Sequence, residues 1–183
     1  TIDWEKVPTN ETQGSIVISG AGQEFTVTVP LMSETPSASG FVENYGVVSI
    51  EASKFSDKSD SREVKWIEVP NMGRTASAMT VQPADAELQK INKNTPKLEY
   101  KFTIFKEGDL TIESYLSPTL NYKKNEGLKY AIAIDDEEPQ IINIHEGDNV
   151  PDWEYPDWWN NSVTDRIRKK QSSHKSIGKG VHT

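Results

Sequence analysis

The chain has 183 residues, which is enough for one ordinary domain or for one domain and a piece of another. A net charge of −8 argues against a nucleic-acid partner, and no stretch reaches the roughly 18 apolar residues of a membrane span. With no cysteine, neither disulfides nor thiolate metal sites can hold the fold or do its chemistry.

Alternation of apolar and polar residues dominates, the pattern of strands with one buried face. Ser15 to Ser19, the turn Gly20-Ala21-Gly22 and Phe25 to Val29 predict a hairpin ended by Pro30. The Ser-, Pro- and Gly-rich run LMSETPSASG follows as a linker. Further strands are expected over Gly46 to Ala52, Val64 to Val69, Ser77 to Val81, Leu98 to Phe105, Asp109 to Leu116, Leu128 to Ile134, Gln140 to Ile144 and Val163 to Arg168. The run ADAELQKINKN between two of them reads as loop, since Asn94, Thr95 and Pro96 stop any helical turn. Short strands at this spacing predict an all-β fold, a β-sandwich or jelly roll. Both ends look cut. The first hairpin lacks partners, and a lone hairpin is marginal in water, while Ile177 to Thr183 reads as a glycine turn entering a further strand.

No GxSxG elbow, HExxH, P-loop or GxGxxG is present, and His145, His174 and His182 are scattered without ligand spacing, so neither a catalytic residue nor a cofactor is expected. The acidic run Asp135-Asp136-Glu137-Glu138-Pro139 lies between two strand patterns. It reads as a solvated hairpin turn, with calcium binding through Asp135 and Asp136 as the second reading. Glu51, placed in a strand, is an outward-facing residue or a further oxygen ligand for calcium. The locally basic run 166 to 179, RIRKKQSSHKSIGK, reads as a solvated strand or loop.

Arg74 follows a glycine and precedes a run of small residues, so its fork suits either backbone carbonyls of a tight turn or a ligand carboxylate. In YLSPTLNY, Ser117 and Thr119 offer polar groups at a rim loop where sugar contacts are often made, or simply pack that loop. The stretch DWEYPDWWNN holds Trp153, Tyr155, Trp158 and Trp159 among acids and amides. Such rings can stack on a sugar face, or they can plug the end of a sandwich or dock on a neighbouring domain.

Taken together, GFVENYGVVSIEA (40 to 52), WIEVPNMGRTASAMTVQP (66 to 83), PKLEYKFTIF (96 to 105), LTIESYLSPTLNY (110 to 122), GLKYAIAIDDEEPQIINI (127 to 144) and GKGVHT (178 to 183) resemble the C-terminal portion of glycoside hydrolase family 115, the xylan α-1,2-glucuronidases. The hairpin region is similar to the last strands of the immunoglobulin-like sandwich that precedes this domain in such enzymes. The resemblance implies residues 1–31 as the end of that sandwich, 32–40 as linker and 41–183 as a non-catalytic β-sandwich that stabilises the enzyme and its domain or subunit packing. It also implies a periplasmic or extracellular setting in bacteria. The partners it implies are the upstream catalytic domains of the same protein, a xylan-type polysaccharide and a second copy in a homodimer. A carbohydrate-binding module for xylan or glucuronoxylan, contacting ligand through Arg74, Ser117, Thr119 and the aromatic segment, is the alternative. Buried indoles would favour the packing role, and exposed coplanar rings the binding module.

Overall fold

The computed structural model describes residues 13–30, 38–92, 94–151, 153–156 and 158–183. Most of the expected linker over 32–40, and Asp152 and Asp157 of the aromatic segment, lie outside the described residues. The chain is all-β with one short α-helix and one 3-10 turn (Lys124–Glu126) among the described residues, and it divides into two compact units at the step from Ala38 to Ser39.

In the first unit, β1 (Gln13–Gly20) pairs antiparallel with β2 (Gln23–Pro30) around Ala21 and Gly22. Both turn residues have positive φ, 50° and 77°, the backbone that matches the twist of a two-residue hairpin. Cross-strand pairs Ile16–Val27 and Ile18–Phe25 share one face of the ribbon and are exposed.

The second unit starts at Gly40, whose φ of 74° and closeness to the Lys101 carbonyl (an added Cβ would sit 1.8 Å from that oxygen) leave no room for a side chain. It contains β3 (Phe41–Val42), β4 (Asp57–Ser59), β5 (Lys65–Val69), β6 (Ala78–Gln82), β7 (Lys97–Glu99), β8 (Phe102–Ile104), β9 (Gly108–Leu116), β10 (Lys129–Ile132), β11 (Gln140–Asn143), helix α1 (Trp159–Asp165), β12 (Arg168–Ile177) and β13 (Gly180–His182). The strands form short ladders: β13-β8-β3, with β8 parallel to β3, and the antiparallel pairs β9-β12, β4-β7, β5-β6 and β10-β11. The core lies between the first two ladders. Phe102 and Ile104 of β8, Ile177 of β12 and Ile134 after β10 are buried together, with Phe41, Val48, Leu110 and Ile112 packed against them. Central strand β8 is buried along its length, and Thr103 both donates to and accepts from the backbone of Ser39.

Strand β12 shows how this core is closed. Its inward residues are Arg168, Ser172 and His174, at even spacing, and strict alternation would next bring Ser176 inside. A register shift between His174 and Ile177, with Ser176 at φ 55°, turns the apolar Ile177 inward instead. Asp109 holds this bulge by accepting from the Ser176 amide (3.0 Å) and pairing with Lys175 (2.7 Å).

Several expected elements differ. Residues 46–52 are irregular and not a strand, because Tyr45 and Gly46, at φ 50° and 81°, form a turn closed by the Asn44–Val47 bridge. Glu51 therefore sits in a loop. The stretch Leu98 to Phe105 is two short strands that pair with different partners. Val163 to Arg168 is not a strand: helix α1 runs through Asp165 and ends on Arg166 in the left-handed region at φ 56°. Val163 and Ile167 satisfy a helical spacing as well as an alternating one, so the period was ambiguous over so short a window.

Candidate functional site

The aromatic segment leads into α1, and its rings form a column running from the interior to the surface. At the inner end, Arg168 is 3% exposed and its guanidinium lies 3.9 Å from the centroid of Trp158. The half-buried Trp158 meets Trp159 with a tilt of 59° at 5.8 Å. Trp159 in turn stacks on Tyr155 with ring planes 21° apart and centroids at 5.5 Å. Exposure rises along the column, to 40% for Trp159 and 73% for Tyr155, and nearby in sequence Trp153 is 82% exposed. The segment is thus neither wholly plug nor wholly platform: Trp158 packs inward on a cation, and Tyr155 and Trp153 face solvent.

Arg168 is held in place by Asp148. Nη2 donates to Oδ1 at 2.7 Å and Nη1 to Oδ2 at 3.2 Å, while Nη2 also reaches the Glu146 carbonyl at 3.4 Å. The buried ring of His145 donates from Nδ1 to the same Asp148 carboxylate at 2.7 Å. Burial raises the Asp148 pKa, but the hydrogen bonds from Arg168 and His145 outweigh it and hold the carboxyl below its usual range. A planar guanidinium suits this position because it can pair bidentately in its plane and stack on an indole through its face.

Further along β12, His174 is 1% exposed. Its Nδ1 donates to Glu137 Oε2 at 2.5 Å and its Nε2 accepts from the Ser172 hydroxyl at 2.9 Å. Serine, histidine and carboxylate stand in the order of a nucleophilic triad. Ser172 and His174 are both sealed inside, so the arrangement joins β12 to the acidic turn and offers no face to a substrate. Asp135 of that turn accepts from His182 Nδ1 at 2.7 Å and from the Thr183 amide at 2.9 Å. Burial raises its pKa, but the His182 and Thr183 bonds prevail and lower it.

The other sequence candidates are dispersed. Asp136 is exposed, and Asp135 is committed to β13, so the pair does not converge as a cation site; no group of three or more metal-ligating side chains occurs among the described residues. Glu51 accepts from the Thr75 hydroxyl, which pins the loop that carries the exposed Arg74. Ser117 and Thr119 are exposed, and Thr119 donates locally to the Ser117 carbonyl at 3.2 Å. Their loop is tied to the one after β6 by Tyr122, which donates to Ala84, and by Lys123, which donates to the Asp85 carbonyl at 3.0 Å. A shallow polar groove lined by Ser61, Arg62, Gln89, Lys90, Asn92 and Thr95 contains none of these candidates. Of the candidate residues, Tyr155, Trp158 and Trp159 come together, and Trp153 makes no ring contact with them.

Arg168, Asp148, Glu137 and the three histidine contacts were not legible in the sequence. In RKKQSSHKSI both alternating sets are polar, so periodicity could not tell which side faces inward.

The family model of the glycosyl hydrolase family 115 C-terminal domain matches residues 40–183. Comparison with curated proteins returned no match. The matched stretch takes in the core ladders, the β12 polar row and the aromatic column, and the chain therefore belongs to glycosyl hydrolase family 115, as its C-terminal domain.

Proposed function

We propose that this chain is the non-catalytic C-terminal part of a xylan α-1,2-glucuronidase, working outside the cytoplasm and stabilising the enzyme by packing against its upstream catalytic domains. In this reading residues 1–31 end a preceding β-sandwich, 32–40 link, and 41–183 form the C-terminal sandwich. One observation supports it: three carboxylates of the matched domain are spent on structure. Asp135 clasps β13, Glu137 orients a buried histidine and Asp148 neutralises a buried arginine. A carboxylate so engaged is not available as acid, base or nucleophile.

The test is to assay this chain alone on glucuronoxylan, and the parent enzyme with and without residues 40–183. The expected result is no uronic acid released by the chain alone, and a truncated enzyme that melts at lower temperature. Hydrolysis by the chain alone would refute the reading. The exposure of Tyr155 and Trp153 favours a second role for the same chain, carbohydrate binding.

A further inference from the structure

We propose that the outward face of Tyr155, the last ring of the Arg168–Trp158–Trp159–Tyr155 column, binds a pyranose ring of a neutral polysaccharide. This rests on the carbohydrate-binding role and specifies its site and ligand class. The rings of a sandwich plug would be covered, but here exposure increases outward and leaves Tyr155 73% exposed. A flexible surface tyrosine would lose rotamer freedom on stacking with a sugar. Tyr155 is already stacked on Trp159, which meets Trp158, which rests on a guanidinium fixed by two hydrogen bonds to Asp148. Preorganisation of this kind lowers the cost of binding.

Chemistry selects the ligand. The axial C–H groups of a pyranose pack on an aromatic face, and its hydroxyls require nearby amides and carboxylates. Glu154, Asn160 and Asn161 are exposed and adjoin the rings in sequence, and would supply them. Among the described residues next to Tyr155 in sequence the charged side chain is the exposed Glu154, and Arg168 at the inner end is already paired with Asp148, so a neutral sugar is favoured over an anionic one.

The experiment is to titrate the 183-residue chain with xylohexaose, following tryptophan fluorescence and heat, with tetragalacturonate as the anionic counterpart. Saturable binding of xylohexaose is expected, weakened at least about fivefold in Tyr155→Ala and largely retained in Tyr155→Phe. Tetragalacturonate should bind more weakly than xylohexaose, by an amount that shrinks as salt is added. Far-UV circular dichroism of the variants confirms that the fold is kept. No saturation up to about 10 mM xylohexaose would overturn both this site and the binding role. Binding equal in Tyr155→Ala and the unmodified chain would overturn the site and leave binding elsewhere. Preferential binding of tetragalacturonate would overturn the neutral-sugar assignment.

Discussion

Strand β12 and the aromatic segment that precedes it are handled in opposite ways. Charged and polar side chains at Arg168, Ser172 and His174 go inside, whereas the large rings of Tyr155 and Trp153 stay outside. Hydrophobicity alone would order them the other way. What decides is pairing: Arg168 meets Asp148 and His174 meets Glu137, each from a turn that reaches the strand, while Ser172 donates to His174 beside it. A charge can be buried when its hydrogen bonds are made within the protein, and a ring can be left exposed when the core is filled without it.

If the comparison holds, damage to the inner network should be far more severe than damage to the outer rings. The largest effect is expected from Asp148→Ala, which leaves a buried guanidinium unpaired. Breaking a buried pair from one side costs about 3–5 kcal/mol, to be read from urea unfolding. The double replacement Arg168→Met with Asp148→Leu should recover much of that loss, and a double variant as unstable as the single one would show that charge pairing is not what holds β12 in place.

Next is His174→Ala, which opens a space at a fully buried position and removes the acceptor for the Ser172 hydroxyl. A loss of roughly 2–3 kcal/mol is expected, and a variant as stable as the parent would remove His174 from the structural role assigned to it. Acid sharpens the same point. Asp148 and Asp135 both titrate lower in the folded chain than their ordinary value of 3.8, the first because the Arg168 and His145 bonds outweigh its burial and the second because the His182 and Thr183 bonds do. Their contribution to stability is complete above that ordinary value and is withdrawn as pH falls through the lower folded values. Circular dichroism against pH should therefore show destabilisation in acid, and Asp148→Asn should make its pH dependence shallower. The smallest effect is expected at the surface. Tyr155→Ala should change stability by no more than about 0.5 kcal/mol, and a loss comparable to that at Asp148 would mean that the outer rings are part of the core after all.

Much of the fold was legible because one face of most strands is apolar. The β1–β2 hairpin, the β5 and β6 strands, and the β9, β10 and β11 strands lie within a few residues of where alternation places them. Element ends and short irregular stretches were not. Tyr45-Gly46 takes up a turn where strand was expected, and α1 occupies a window too short to separate two periods. The candidate site was half legible. An unusual density of tryptophan marks the segment, but not that Trp158 turns inward and Tyr155 outward, since neighbours in sequence share one composition.

By itself the sequence determined the class of the fold, the family and the absence of cysteine chemistry, because these depend on composition, alternation and local motifs carried along the chain. Only the tertiary structure decided that the acidic turn and the basic strand face each other. Glu137 and His174 lie 37 residues apart, and Asp148 and Arg168 lie 20 apart. Nothing in either stretch indicates which groups will be opposite which. That pairing arises when the ladders close on the core, and it is the pairing that makes burying the charges tolerable and leaves the rings in solvent.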